Sequence, residues 1–475
     1  VNILFVTAEL APFAKTGGLG DVSAALPRAL HRNGHDVRPF LPFYPRVAGE
    51  GRSFTSVDNV RDVDVALGDH RYRFSLLTGK LPGSDLDVYF VHCPALYARP
   101  SIYTSDGDEH RRFLLLERAA LESAQRMGFA PDVIHCNDWQ CGLLPLLLRT
   151  RYSWDRLFAR AKTLLTIHNL HYQGIFHADV LGDTGLSDSR HLFHQEQLAD
   201  GRINFLATGI LYADGITTVS PTYAREIQGA ELGAGLDALL RARSSTVVGI
   251  LNGVDYDEWS PDADRHIPHR YSMNELAPKE KDKESLLHSV GLSYHPESLT
   301  CGVVSRLAAQ KGVDLLIEAA PQLLRHHDLR LVVLGSGESR LERLLTGLAR
   351  SFPDKVSFYN GYSNDLAHLI EAGADLFVMP SRYEPCGLNQ MYSLRYGTVP
   401  LVRRTGGLAD TVDESCGFLF ERFAPDALRG AWELALRTWH QPAVWRRLMK
   451  NGMAKNYSWA AQVRYYEEVY ARLSG

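Results

Sequence analysis

The chain has 475 residues, 45% hydrophobic and 22% charged, which is enough apolar mass for two cores rather than one. Its 51 basic and 55 acidic residues leave a formal net charge of -4, so no whole-molecule field gathers nucleic acid or an anionic membrane surface. Six scattered cysteines without a CxxC pair, Cys93, Cys136, Cys141, Cys301, Cys386 and Cys416, argue against a zinc site and a disulfide framework, and suit a reducing cytosol.

The strongly apolar stretches, such as 143-148 and 331-334, fall far short of the roughly 20 residues that cross a bilayer. No signal peptide is expected before the first strand, and the expected location is the cytoplasm. The opening reads as strand 2-8, loop 9-18, helix 19-32 closed by Gly34, and strand 36-41, a β-α-β unit. Strand 86-92, helix 110-127, strand 132-136, helix 140-150 and strands 162-167 and 215-219 follow, and such alternation predicts a mainly parallel, doubly wound sheet.

A polar connection is expected over 260-285, after a join near 245-260 around Asn252-Gly253-Val254-Asp255. A second α/β series then runs through strand 299-304, helix 311-325, strand 329-334, helix 338-350, strand 355-359, helix 364-371, strand 375-378, helix 387-396 and strand 399-402. The expected division is 1-247 and 248-457, with a terminal helix over 458-475 that packs back on the first domain.

Polar loops follow several of these strands. In Lys15-Thr16-Gly17-Gly18-Leu19-Gly20-Asp21, paired glycines at a helix start expose backbone N-H groups to a phosphate or another anion, and Lys15 adds a cation. The loop is neither a Walker A motif nor a GxGxxG fingerprint. Thr405-Gly406-Gly407-Leu408-Ala409-Asp410 echoes it, either as a second anion site or as a simple strand-to-helix turn. Arg306 and Lys311 flank the turn after strand 299-304, where open α/β sheets bind ligands and cations can stabilise a departing diphosphate.

The loop Pro380-Ser381-Arg382-Tyr383-Glu384-Pro385-Cys386-Gly387-Leu388 concentrates groups suited to sugar hydroxyls, with a helix-capping role for Glu384 as the lesser alternative. Cys386 suits packing better than nucleophilic attack. Asp138, His168 and Asn169 end two further strands, and hydrogen bonding to a sugar suits them better than serine hydrolysis, since no Gly-x-Ser-x-Gly elbow is present. Two Asp-x-Asp sequences, 62-64 and 85-87, invite a metal reading, but they lie in alternating runs typical of strand faces. His171, Tyr172, Tyr97 and Trp139 are aromatic or imidazole rings available for stacking on glucose, or for ordinary packing.

Lys15 to Val22, His168 to Gly174, Thr218 to Tyr223, Asn252 to Asp255, Ser305 to Gly312, Glu384 to Leu388 and Thr405 to Val412 resemble, in order and nearly end to end, bacterial glycogen synthases and plant starch synthases. The resemblance implies the glycosyltransferase B fold, two Rossmann-like doubly wound domains facing a deep cleft. It implies transfer of glucose from ADP-glucose to the non-reducing end of an α-1,4-glucan, with retention of configuration and with neither metal nor pyridoxal phosphate; the alternatives are a transferase of the same fold with UDP-glucose or another acceptor, and a non-catalytic glucan-binding protein. Neither nucleic acid nor a membrane is an expected partner. A processed plant-type chain would lie in the plastid stroma.

Carried over by position, the resemblance implies catalytic-site roles for Lys15, Asp138, His168, Arg306, Lys311 and Glu384. It implies substrate contacts for Gly17, Gly18, Asp21, Asn169, Asn252, Tyr362, Cys386, Gly387, Leu388, Thr405, Gly406 and Gly407. Tyr392 stands where many related retaining transferases carry a second glutamate, and Gly20 where many bacterial members have alanine. The two halves are expected to close around substrate and exclude water.

Overall fold

Short runs of buried aliphatic residues become the strands of two separate sheets, the first mainly parallel and the second wholly so. The computed structural model describes residues 1-475, and the chain divides into two units. The first comprises Val1–Val219, Ala224–Gly253 and Gln462–Gly475, and the second Ser220–Tyr223 and Val254–Ala461.

The first unit holds β1 (Asn2–Val6), β2 (Asp36–Pro42), β3 (Thr55–Ser56), β4 (Val63–Leu67), β5 (His70–Lys80), β6 (Asp87–His92), β7 (Val133–Asn137), β8 (Lys162–Ile167), β9 (Ile175–His177), β10 (Arg202–Asn204), β11 (Gly215–Thr218) and β12 (Val247–Gly249). Its main sheet runs β12-β11-β8-β7-β1-β2-β6-β5-β3, with β4 paired to β5 and β9 paired to β10 apart from it. All pairs from β12 to β6 are parallel, whereas β5 pairs antiparallel with β3, β4 and β6. Ile3, Leu4, Phe5 and Val6 are fully buried, as expected for a strand covered on both faces.

Two features of this unit depart from expectation. The single helix over 140-150 is instead a 3-10 turn at Trp139–Cys141 and a helix at Leu144–Arg149. A side chain at Gly142 would meet the Phe205 carbonyl at 2.2 Å, and Pro145 suits only a first helical turn. The antiparallel β4-β5 pairing is the second departure, because the polar strand His70–Lys80 carries no long apolar run to announce it. The terminal helix Trp459–Ser474 lays Tyr470 against β7, where its hydroxyl lies 2.8 Å from His135 Nδ1.

The second unit holds β13 (Leu299–Val304), β14 (Leu329–Gly335), β15 (Val356–Asn360), β16 (Leu376–Met379), β17 (Val399–Arg403) and β18 (Phe418–Phe420). They form one parallel sheet ordered β15-β14-β13-β16-β17-β18. The polar connection expected over 260-285 contains a helix, Ala277–Ser289. Lys279 and Lys283 bury their ammonium groups there on Ala372 O and Ser298 O, so charge-rich sequence conceals an inward face. Helices Pro425–Trp439 and Pro442–Met453 complete the unit and carry Trp432 and Trp445 into the core.

Candidate active site

In each sheet the chain order reverses between two neighbouring strands, β1 and β7 in the first unit and β13 and β16 in the second. Loops leaving the C-terminal ends of such strands diverge and open a crevice. The loops singled out in the sequence leave these strand ends or their immediate neighbours.

In the first unit, the loop after β1 leads into helix Gly18–Arg32. Side chains added at Gly17 or Gly18 would meet nothing within 4 Å, so the loop borders open space. Lys15 Nζ lies 2.7 Å from Asp21 Oδ1, both about half exposed. Burial raises the Asp21 carboxyl and Lys15 partly offsets the rise. The expectation that the paired glycines expose backbone N-H groups to an anion does not hold for Gly17. Thr16 N and Gly17 N donate inward to the buried Glu9 carboxylate, at 2.7 and 3.3 Å.

After β7, Asp138 adopts φ 58° and ψ -169°, a region that costs a non-glycine residue about 1–3 kcal/mol. Its Oδ1 accepts the His168 N-H at 2.7 Å. Burial lifts the Asp138 carboxyl to about 7, against the lowering effect of the His168 and Asn169 N-H groups. His168 Nε2 lies 3.0 Å from Asn137 Oδ1, and burial holds the imidazole down to about 3, neutral at physiological pH. Asn137 donates in turn to Val6 O at 3.0 Å, tying β7 to β1. Asn169 Oδ1 accepts the His171 N-H at 3.1 Å. Asn252, just beyond β12, is buried with its Oδ1 lacking a hydrogen-bond partner.

In the second unit, Lys311 Nζ sits 2.9 and 2.8 Å from the two oxygens of Glu384, and Ser381 Oγ donates to Glu384 Oε2 at 3.0 Å. Glu384 is 4% exposed. The helix it was free to cap begins only at Asn389, so capping is not its role. Gly312, at φ 69°, allows this approach, because a side chain there would lie 1.9 Å from Pro380 O. Arg306 is exposed at the end of β13, and Ser305, Arg306, Lys311 and Ser381 line one pocket.

The second Thr-Gly-Gly differs from the first. Thr405, Gly406 and Gly407 are buried, and side chains at Gly406 and Gly407 would lie 1.8 Å from Glu384 O and 1.9 Å from Cys386 O. Gly407 N donates to Glu384 O at 3.1 Å. These glycines let the 384–386 backbone descend onto the helix start, whereas the first pair faces open space. Gln390 Nε2 donates to the Cys386 and Gly387 carbonyls, both at 3.0 Å, which shapes the turn before Leu388.

Tyr362 is 75% exposed just past β15, with its hydroxyl 3.1 Å from Asn364 Oδ1. Tyr392 stacks on Trp259, with ring centroids 4.0 Å apart. Of the rings considered for glucose stacking, Tyr97 is fully buried, Trp139 packs against Phe113, Phe176 and Phe205, and Tyr172 is exposed. In the Asp-x-Asp segments, Asp64 pairs with Arg73 and Asp87 with Lys80 across antiparallel strands. Glu9 and Asn137 carry no sequence motif of their own, whereas Ser381 lies in the loop already singled out. The first two lie at or just past the end of a strand already singled out, and that position is the one available signal.

Two doubly wound units with polar loops at their strand C-termini define a glycosyltransferase of the B fold class. The starch synthase catalytic domain model matches residues 2–242, and the model for glycosyl transferases group 1 matches residues 295–451. The chain is 46% identical to the glycogen synthase of Myxococcus xanthus over 99% of both chains, and 44% identical to that of Thioalkalivibrio sulfidiphilus over all of both. Among solved structures, the catalytic domain of starch synthase IV from Arabidopsis thaliana, bound to ADP and acarbose, superposes with a TM-score of 0.90 at 35% identity over 99% of each chain. Sucrose-phosphate synthase from Thermosynechococcus elongatus shares the fold, with a TM-score of 0.64 at 17% identity. The chain belongs to the glycogen and starch synthase family.

Proposed function

We propose that the chain transfers glucose from ADP-glucose to the non-reducing end of an α-1,4-glucan, with retention of configuration and without a metal ion. The observation that carries the reading is the Lys311–Glu384 pair beside Arg306, at the strand ends where the second sheet reverses order. The starch synthase IV domain with ADP and acarbose supports a nucleotide donor and a glucan acceptor.

In this reading Arg306 and Lys311 neutralise charge on the departing ADP, each donor contributing about 3 kcal/mol in the transition state. Glu384, held by Lys311 and Ser381, receives hydroxyls of the transferred glucose, and the backbone at Cys386, Gly387 and Leu388 donates to them. Thr405, Gly406 and Gly407 support that loop from below. The exposed Tyr362 ring offers a stacking face for the base.

Within the first unit, Lys15, Gly17, Gly18 and Asp21 bind phosphate, and Asp138, His168, Asn169 and Asn252 bind sugar. Neutral His168 offers a sugar a hydrogen bond without adding positive charge. The leaving phosphate takes the acceptor proton and attack occurs on the same face, with no covalent glucosyl-enzyme. No pyridoxal phosphate takes part, and the site of action is the cytoplasm.

The deciding assay offers ADP-glucose and UDP-glucose separately, with glycogen and a chelator, and follows both glucan-bound glucose and released nucleotide. Polymer growth with ADP-glucose preferred supports the reading. UDP-glucose preference reassigns the donor, loss of activity with chelator restores a metal, and a trapped glucosyl adduct overturns the single-site mechanism.

A further inference from the structure

Glu9 stands three residues beyond β1 and is 3% exposed. Its carboxylate gathers four hydrogen bonds. Thr16 N and Gly17 N donate to Oε2 at 2.7 and 3.3 Å, and the Thr16 and Tyr103 hydroxyls donate to Oε1 at 2.7 and 2.6 Å. Its backbone is braced as well. Thr7 Oγ donates to Glu9 O at 2.9 Å and lies 2.9 Å from Ser23 Oγ, on helix Gly18–Arg32.

A buried carboxylate needs donors on both oxygens. Here they come from the residues directly after Lys15, together with Tyr103 from a distant segment. Without Glu9, the Thr16 and Gly17 N-H groups would have no buried acceptor, and the glycines would let the turn adopt other shapes.

We propose that Glu9 is a positioning residue: by seizing the Thr16 and Gly17 N-H groups, it fixes the turn so that Lys15 and the helix start at Gly18 border the open space beside the paired glycines. The inference rests on the reading of Lys15 as a contact to the donor phosphates. What Glu9 supplies is reach and geometry, through charge-assisted hydrogen bonds stronger than neutral ones. Glu9→Gln keeps the reach, because its amide oxygen still accepts the two N-H groups and its NH2 turns to the hydroxyls, which can accept. Glu9→Asp keeps the charge and shortens the reach by one methylene.

The experiment measures kcat and KM for ADP-glucose in Glu9→Gln, Glu9→Asp, Lys15→Ala and the Lys15→Ala/Glu9→Gln double variant, with thermal unfolding alongside. We expect Glu9→Gln to lower kcat/KM about tenfold, a hydrogen bond's worth, and Glu9→Asp to lower it further, with the KM for glycogen unchanged. In the Lys15→Ala background, Glu9→Gln should add less than about twofold, since coupled residues are not additive. Equal losses in both backgrounds, or Glu9→Asp more active than Glu9→Gln, would overturn the inference while leaving the role of Lys15 intact. A fully active Lys15→Ala would overturn the reading beneath it. Should the Glu9 variants fail to fold, Tyr103→Phe removes one bond to Oε1 and keeps the carboxylate; full activity in that variant, or a loss that persists undiminished in the Lys15→Ala background, would overturn the inference.

Discussion

Asp138→Asn tests whether the protein gives up stability to keep a carboxylate beside β7. Raising a carboxyl from 3.8 to about 7 makes the charged form unfavourable in the fold. Between those values the folded chain holds a proton that the unfolded chain has released, so stability declines as pH rises through the window and the loss is complete above 7. The full difference corresponds to about 4 kcal/mol, and partial solvent access to the side chain brings the expected gain in Asp138→Asn to about 2–4 kcal/mol at pH 8.

The amide oxygen introduced by Asp138→Asn still accepts from His168, and asparagine tolerates positive φ as well as aspartate does, so the strained backbone is unchanged. Denaturant unfolding at pH 8 should therefore show the gain, shrinking below about 1 kcal/mol near pH 4, where the wild-type carboxyl is protonated in the fold and already about 40% protonated in the unfolded chain. Glucan synthesis should fall at least about tenfold, as for a lost charge-assisted contact. A variant less stable than wild type at pH 8, or one with a gain independent of pH, would refute the reasoning.

Lys311→Ala leaves Glu384 with Ser381 as its remaining side-chain donor. We expect kcat to fall about 100-fold, matching the loss of about 3 kcal/mol of transition-state stabilisation, as measured by nucleotide release. His135 and His168, both held near 3 by burial, refuse protons that the unfolded chain accepts below about 6.5. Unfolding at a series of pH values should show stability falling below that point, by about 2 kcal/mol per histidine at pH 5, with a steeper fall in the Asp138→Asn variant, which lacks the opposing carboxyl. Gly406→Ala and Gly407→Ala place a methyl group against backbone at 1.8 and 1.9 Å and should cost about 3 kcal/mol or more in denaturant unfolding. Gly17→Ala, with open space, should unfold within about 0.5 kcal/mol of wild type while weakening ADP binding measured by calorimetry.

The helix split at Gly142 and Pro145 shows the limit of periodicity. Apolar spacing over 140-150 suits a continuous helix, but Pro145 is tolerated only in a first turn, and the close approach of the Phe205 carbonyl requires glycine at 142. Helix Ala277–Ser289 escapes periodicity for the converse reason, since its buried face carries Lys279, Asp282 and Lys283, whose partners come from distant chain. A lysine that binds carbonyls looks in sequence like one that meets water.

Read without any fold, the chain already yields its two α/β series, the strand ends from which the polar loops leave, and the family, because local apolar runs and ordered motifs carry that information without distant partners. Three properties wait on the folded chain: Glu9 turns two N-H groups inward, Gly406 and Gly407 lie beneath the Glu384 loop while Gly17 and Gly18 face open space, and Asp138 keeps a proton to about 7. Burial, close backbone approach and hydrogen-bond partners far apart in the chain set these properties, and none of them is a property of a residue and its neighbours in sequence.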